Sequence, residues 1–270
     1  MTDGGLPTDP QDLAVGAPGE NVGATVDAGA VSVLESAADG SGLSAGAVQE
    51  RFYQGNNGVP GASESGDRFG AALVAGNFGA GALDLVAGAP GEDVGAAVNA
   101  GAAVYLVGPG FHVLLTQAFG GASESGDQFG AALGAADFDG NNADNLVIGA
   151  PGEDVGTAAD AGAVNSFCGF DGFLTSCSPA LLFQGNPEAG DRFGAALTPG
   201  NFDGNEFPDL AVGAPGETVA GKAAAGAADA RDGGSSGLPA DPDEPLYFQG
   251  SAGVPGTAEA GDGFAAALSA

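Results

Sequence analysis

Basic side chains are nearly missing from this chain. Five Lys and Arg stand against 35 Asp and Glu in 270 residues, a formal net charge of -30 at pH 7. A surface of that sign repels phosphate backbones and anionic lipid and attracts cations, which argues against nucleic acid as a partner. Two readings of the acidity remain open, a specific role for cations or plain solubility and adaptation to high salt. Histidine occurs once, as His112, without a second His or a Ser-containing nucleophile elbow, so a hydrolytic triad or a zinc site lacks its parts. Cysteine occurs twice, as Cys168 and Cys177, with no CxxC motif and no second pair, which argues against zinc or redox catalysis. The two lie across a Gly-containing segment that suits a hairpin. They are either a disulfide, given an oxidising compartment, or two free thiols. No apolar run approaches the roughly 18 to 20 residues of a membrane-spanning helix. Met1 is followed at once by Thr2, Asp3 and Gly4 rather than by a basic and apolar leader.

What the chain has in abundance is glycine, 52 residues of it, and self-similarity. Gly every few positions disfavours long helices and points to turn-rich β-structure packed through small side chains. The Asp of a Gly-Asp pair recurs at 67, 127, 191 and 262, and the first Gly of a Gly-Ala-Pro triplet at 16, 88, 149 and 213. The period is therefore 60 to 72 residues. That exceeds leucine-rich, ankyrin and tetratricopeptide repeats, yet accommodates four short strands with generous loops.

Within a unit the apolar residues alternate as in strands. Phe193, Ala195 and Leu197 are expected on one face, Leu210 and Val212 likewise in the next run, with Gly and Ala opposite. Strands that are apolar on both sides and minimal on one suit sheets stacked closely face to face, as in a β-propeller of four-stranded antiparallel blades. Each unit supplies a first strand after Phe-Gly, a second through Gly-Ala-Pro, a third at Ala-Gly-Ala-Val and a fourth ending at Gln-Gly. The approximate repeats are 1–60, lacking a first strand, then 61–121, 122–185, 186–250, and 251–270, a first strand alone. The outermost pieces could meet in one composite blade, so the array is either a small closed ring or part of a larger one. Residues 244–251, EPLYFQGS, look like a protease-cleavage tag, but Arg51 to Gly55 and Leu181 to Gly185 hold the same repeat position, which keeps this stretch within the fold.

The chemistry lies between first and second strands. In the fourth unit Asn201, Asp203, Asn205 and Asp209 place oxygen-bearing side chains at positions one, three, five and nine of a tight loop, with Gly204 at the turn and the Phe207 carbonyl for a further place. Ca²⁺ takes about six to eight oxygens at 2.3 to 2.6 Å, which such a loop can aim inward, whereas Mg²⁺ prefers rigid octahedral geometry and keeps its water. A weaker copy in the third unit comprises Asp137, Asp139, Asn141, the Ala143 carbonyl and Asn145, with Asp144 available to compensate for the Asn at position nine. The second unit has Gly79, Ala80 and Gly81 where ligands should be, and no metal is expected there. Asp9 and Asp12 of the first unit flank prolines in a longer loop and are not assigned one. On the other face, loops such as 91–95 and 122–127 are acidic and expected to form a solvated rim.

Together these motifs resemble the FG-GAP repeat, the blade unit of the integrin alpha-subunit β-propeller and of many bacterial surface and secreted proteins. Phe69-Gly70, Phe129-Gly130 and Phe193-Gly194 match its first element, and the four Gly-Ala-Pro triplets its second. The resemblance implies Ca²⁺ in the loops between first and second strands, and protein or glycan ligands engaged by the opposite face. It implies a noncatalytic, extracellular or cell-surface module for adhesion. The alternative is the accessory or catalytic propeller of a secreted hydrolase. Integrin propellers have seven blades where about four are visible here.

Overall fold

The computed structural model describes residues 12–37, 42–43, 50–79, 83–107, 111–117, 121–170, 173–239 and 245–270. The described residues form antiparallel sheets and no helix long and apolar enough to cross a membrane. The first sheet contains β1 (Leu13–Ala17), β2 (Ala30–Leu34) and β3 (Glu50–Phe52). The second contains β4 (Leu73–Gly76), β5 (Asp84–Ala89), β6 (Ala102–Val107) and β7 (Phe111–Leu115). The third contains β8 (Ala132–Ala136), β9 (Asn145–Ala150), β10 (Ala163–Phe170) and β11 (Phe173–Leu182), and the fourth β12 (Ala196–Gly200), β13 (Asp209–Ala214) and β14 (Ala227–Arg231). In every sheet the strands follow chain order as a meander. The sheets converge on their first strands, since β1 touches β4, β4 touches β8 and β8 touches β12.

The core is a series of seams between successive sheets. Val31 and Phe52 of the first sheet pack on Ala87, Ala89, Val104 and Leu106 of the second. Val86, Ala103 and Tyr105 on the second sheet's other side meet Leu146, Ile148 and Phe167 of the third. Val147, Val164 and Leu182 then meet Leu210, Val212 and Ala214 of the fourth. Both faces of each middle sheet are buried, which is why these strands read as nearly continuous apolar runs.

The two sequence motifs make the seams. Phe69, Phe129 and Phe193 are fully buried between sheets, each plug contributing about 1.5 to 3 kcal/mol by burial. Their backbone N–H groups donate to the carbonyls of Ala28, Ala100 and Ala161, just ahead of the preceding blade's third strand. The following Gly donates to the Gly of its own Gly-Ala-Pro: Gly70 to Gly88, Gly130 to Gly149, Gly194 to Gly213. At the same time its carbonyl crowds the Gly of the blade before. A Cβ on Gly16, Gly88 or Gly149 would lie 2.0 Å from the carbonyl oxygen of Gly70, Gly130 or Gly194. No side chain fits where one backbone lies against another.

Phe-Gly itself is not strand. The first strands begin later, at Leu73, Ala132 and Ala196, and Phe193 lies in the turn before β12 rather than sharing a strand face with Leu197. Positive φ at Gly70, Gly130 and Gly194, and at the residues two before them, Arg68, Gln128 and Arg192, makes this turn left-handed. The Gln-Gly pairs likewise fall after the last strands, since β3 ends at Phe52 and β11 at Leu182. In the fourth unit the expected last strand is a single bridge, Ala228 to Tyr247, with Leu246 and Phe248 packed against Val219, Ala225 and Ala227. The tag-like stretch, from Pro245 onward, is thus part of the fold.

The arc of blades is open. Residues 264–268 lie in turns and bends and pair with no named strand, although Phe264 makes the usual donation, to Ala225. β1 is an edge, with Leu13 and Val15 exposed. At the other edge Phe202 is exposed, whereas its counterparts Phe78 and Phe138 are buried beneath the next blade. Among the described residues nothing pairs with the free side of β1, and the part of the expected composite blade contributed by residues 1–11 lies outside them.

Candidate metal centre

The fourth unit's loop is closed by its own polar side chains, as Asn and Asp do in tight turns. Asn201 Oδ1 accepts from the Gly204 N–H at 2.7 Å, and its Nδ2 donates to the Asn205 carbonyl at 2.6 Å. Asp203 Oδ1 accepts from the Asn205 N–H at 2.8 Å and Asn205 Oδ1 from the Phe207 N–H at 2.5 Å. Gly204 has φ 79°, the left-handed turn that Gly was expected to supply. Asp209, the first residue of β13 and fully buried, anchors the whole. Its Oδ2 accepts from the N–H groups of Phe202 (2.6 Å) and Asp203 (3.2 Å), and its Oδ1 from that of Gly233 (2.9 Å).

A third carboxylate joins these two. Asp203, Asp209 and Asp232 each place an oxygen within 4.8 Å of the others, the one such acidic group among the described residues. Asp232 directly follows β14 and comes from the connection after the third strand, on the same end of the sheet as the loop. Its carboxyl is pushed up by partial desolvation, and then by the charges of Asp209 and Asp203. Sequence spacing within a single loop could not find it. The signal was present only as an acid at the end of the third strand.

The donor set fits a hard divalent cation. Two oxygens bound to one Ca²⁺ at 2.3 to 2.6 Å lie no more than about 5 Å apart, and three carboxylates within that span otherwise repel one another. Asn201, Asn205 and Phe207 shape the loop through hydrogen bonds to its backbone, and Asn205 Nδ2 also donates to Asp203 Oδ2 at 2.7 Å.

The third unit repeats the frame with differences. Asp137 accepts from the N–H groups of Asn141 (3.0 Å) and Asn142 (2.9 Å). Asp139 Oδ2 takes both Asn141 Nδ2 (3.1 Å) and Asn145 Nδ2 (3.4 Å), and Asn141 Oδ1 takes the Ala143 N–H (2.7 Å). Asn145 is buried and accepts from the Phe138 N–H. Asp144 does not compensate at position nine. It turns to the second blade, where Oδ2 accepts from the Asn77 N–H at 2.7 Å. The two loops touch, because a Cβ on Gly140 would lie 2.7 Å from the ring of Phe207.

In the remaining units the residue equivalent to Asp209 has a protein partner. Asp84 accepts from the Tyr105 hydroxyl at 2.7 Å, and Asp12 from the Ser36 N–H and hydroxyl at 2.9 and 3.1 Å. Ala80 and Gly81, like Asp3, Gly4 and Asp9, lie outside the described residues. Cys168 and Cys177 are joined as a disulfide, Cα to Cα 5.0 Å, bracing the β10–β11 hairpin beside the third loop. His112 contacts the Asn57 carbonyl at 3.2 Å and the edge of Phe52, a packing role between the first two blades. On the opposite face the loops are only partly a solvated rim. Glu64, Asp93, Glu124, Asp154 and Glu188 are exposed, but Glu92, Asp127 and Glu153 are buried where the loops of neighbouring blades meet.

Comparison with known proteins agrees with this architecture. The FG-GAP repeat matches residues 193–229, which run from the Phe-Gly turn through β14 into Asp229. Integrin alpha-PS5 of Drosophila melanogaster is 33% identical over 160 residues, covering 56% of this chain and 15% of that protein. The chain thus spans a small part of its relative's length. It carries the FG-GAP repeat, resembles an integrin alpha subunit, and is built as an open arc of a β-propeller.

Proposed function

We propose that this chain is a noncatalytic, calcium-binding propeller module of the extracellular space, which engages a protein or glycan partner during adhesion. The observation that carries the metal is the convergence of Asp203, Asp209 and Asp232 within 4.8 Å at the base of a loop whose backbone is already closed. Asp203 and Asp209 come from the loop and the strand after it, and Asp232 completes the set from the next connection. Asn201, Asn205 and the Phe207 carbonyl are the remaining oxygens within reach of the loop. Asp137, Asp139, Asn141, Ala143 and Asn145 form a weaker second site, with one fewer carboxylate at the base. The exposed acids of the opposite rim, Glu64, Asp93, Glu124, Asp154 and Glu188, favour a partner with basic groups.

Calcium added to chelator-treated protein is expected to raise the melting temperature, because a ligand that binds only the folded chain stabilises it. The double variant Asp203→Ala, Asp209→Ala should lose most of that rise. No rise at millimolar Ca²⁺, or an undiminished one in the double variant, would sink the assignment. Turnover of ester, phosphoester or glycoside panels would overturn the noncatalytic reading.

A further inference from the structure

A second set of acids, buried at Glu92 and Glu153 and half-buried at Glu217, lies away from the cation loops, one at each junction between blades. Glu92, Glu153 and Glu217 each close the Gly-Ala-Pro-Gly-Glu stretch where a second strand turns toward the third. A Gln from the end of the preceding blade reaches each of them. Gln54, Gln117 and Gln184 donate through Nε2 to Glu92, Glu153 and Glu217 at 2.5, 2.6 and 3.2 Å. The segment that joins the blades adds an Asp, and Asp67, Asp127 and Asp191 are each about 1% exposed. Backbone bonds hold the parts together, from the N–H groups of Gly91, Gly152 and Gly216 to the carbonyls of those same Asp residues.

Every junction therefore brings together two carboxyl groups and an amide, and among the described residues no ion pair neutralises them. Facing the first are Glu64 and Asp93, facing the second Glu124 and Asp154, facing the third Glu188, all acidic. The described ion pairs are elsewhere, at Arg51 with Glu20 and Arg231 with Asp229. The buried junction atoms without partners are mostly acceptors, Oε1 of Gln54, Gln117 and Gln184 and Oδ1 of Asp191, beside one hydroxyl, that of Ser123. Acceptors that outnumber donors leave such sites short of a hydrogen, and a protonated carboxyl supplies one. Glu20, which closes the corresponding stretch of the first described sheet, is instead exposed and paired with Arg51.

We infer that each blade junction holds one bound proton, shared by Glu92 with Asp67, by Glu153 with Asp127 and by Glu217 with Asp191, so that the propeller tightens in acid and loosens as the pH passes neutrality. Desolvation, the largest cause in each case, pushes Asp67 up to about 6 and Glu92, Asp127 and Glu217 up to about 7, and it raises Glu153 and Asp191 as well. Because these carboxyls bind their proton more tightly folded than unfolded, the stabilisation is complete below the ordinary carboxylate range near pH 4. It is lost as pH rises through about 6 to 7.

The test counts protons directly. The full chain is unfolded by urea in a pH-stat at pH 6, with chelator present and tetramethylammonium as the sole added cation. The triple variant Glu92→Gln, Glu153→Gln, Glu217→Gln, whose amides mimic the protonated acids, is expected to release about three fewer protons than the parent, one per junction. A charge-matched control, Glu35→Gln, Glu50→Gln, Glu259→Gln, removes three exposed acids and should release as many as the parent. Each single variant at a junction should remove about one proton, which keeps the count readable if the triple variant fails to fold. Equal release by parent and junction variants overturns the inference. So does a parent whose stability rises between pH 5 and 8 once sodium replaces tetramethylammonium in chelator, since a metal ion would then occupy the junctions.

Discussion

Tyr105 donates its hydroxyl to Asp84 at 2.7 Å, in the blade whose loop has Gly and Ala where the fourth blade's loop has its polar ligand positions. Asp84 holds the place of Asp209, the first residue of the strand that runs into Gly-Ala-Pro. The strand register sets Tyr105 opposite Val86, the position that Ser166 and Ala230 occupy in the third and fourth blades. A long side chain thus reaches the carboxylate in one blade, and a short one leaves room in the others.

Tyr105→Phe should expose the worth of that contact. Phe keeps the T-shaped packing on Phe78, with centroids 5.3 Å apart, and deletes only the hydroxyl. Asp84 is raised by burial and lowered by this hydrogen bond, so removing the bond leaves an acid less able to stay ionised. Stability at neutral pH should fall by about 1 to 2 kcal/mol, with the calcium response unchanged. A melting temperature equal to the parent's would show that the bond contributes nothing.

Asp232 provides a test in which the sign reverses. Without metal its charge repels Asp203 and Asp209, so Asp232→Asn should leave the chelated protein as stable or slightly more so. With calcium the same variant should be the less stable of the two. Asp209→Ala differs, because Asp209 also accepts three backbone N–H groups. It should cost about 2 to 4 kcal/mol even in chelator, from the stranded donors. Thermal melts of both variants with and without calcium distinguish a ligand from a scaffold, and a calcium-independent effect of Asp232→Asn would remove it from the site.

Much of this was legible in the chain because repeats average out local noise. The spacing of Phe-Gly and Gly-Ala-Pro carried the number of sheets and their antiparallel type. What escaped was whatever depends on a neighbouring blade. Phe193 reads as the start of a strand from its alternation with Leu197, yet it lies in a left-handed turn because its N–H is committed to Ala161 of the blade before. Asp144 looked like a spare ligand and is taken by Asn77. Glu92 and Asp127 looked like rim and are buried, Glu92 by a Gln bonded to it across 38 positions and Asp127 beneath the Gly152 turn of its own unit. Asp232 and Tyr105 sit outside every motif.

The Gly-to-Gly seam predicts a sharp difference between two glycines of one repeat. At Gly149 a Cβ would meet the Gly194 carbonyl oxygen at 2.0 Å, and that neighbour is backbone fixed in a hydrogen bond to Gly213. Gly149→Ala should therefore part the third and fourth blades and cost about 3 kcal/mol or more. Gly156, at the tip of the next turn, has φ 67° and open space around it, so Gly156→Ala should cost only about 1 kcal/mol of backbone strain. Denaturant melts of the two variants with similar midpoints would contradict the seam.

The disulfide makes the last prediction, one about where stability resides. The β10–β11 ladder shifts register between Asn165 and Phe167, so the outer part of that hairpin is separated from the inner pairs by an irregularity. Cys168 and Cys177 bridge this outer part, close to the exposed Phe170 and Phe173, 71% and 63% accessible, which bury little of their own surface. The crosslink adds to the packing of Gly169 and Leu174 in limiting the opening of this part, and for a loop this short the constraint amounts to about 2 to 3 kcal/mol. Reduction should therefore raise amide exchange in residues 166–170 and 173–177, while β5 and β6, buried on both faces, keep their protection. The third loop should also feel the change, because Asn141 Nδ2 reaches the Gly169 carbonyl at 3.4 Å and Asn145 Nδ2 lies 4.0 Å from Cys177 Sγ. Exchange that rises equally in all four sheets would mean that the hairpin is no separate unit and that the crosslink holds the whole arc.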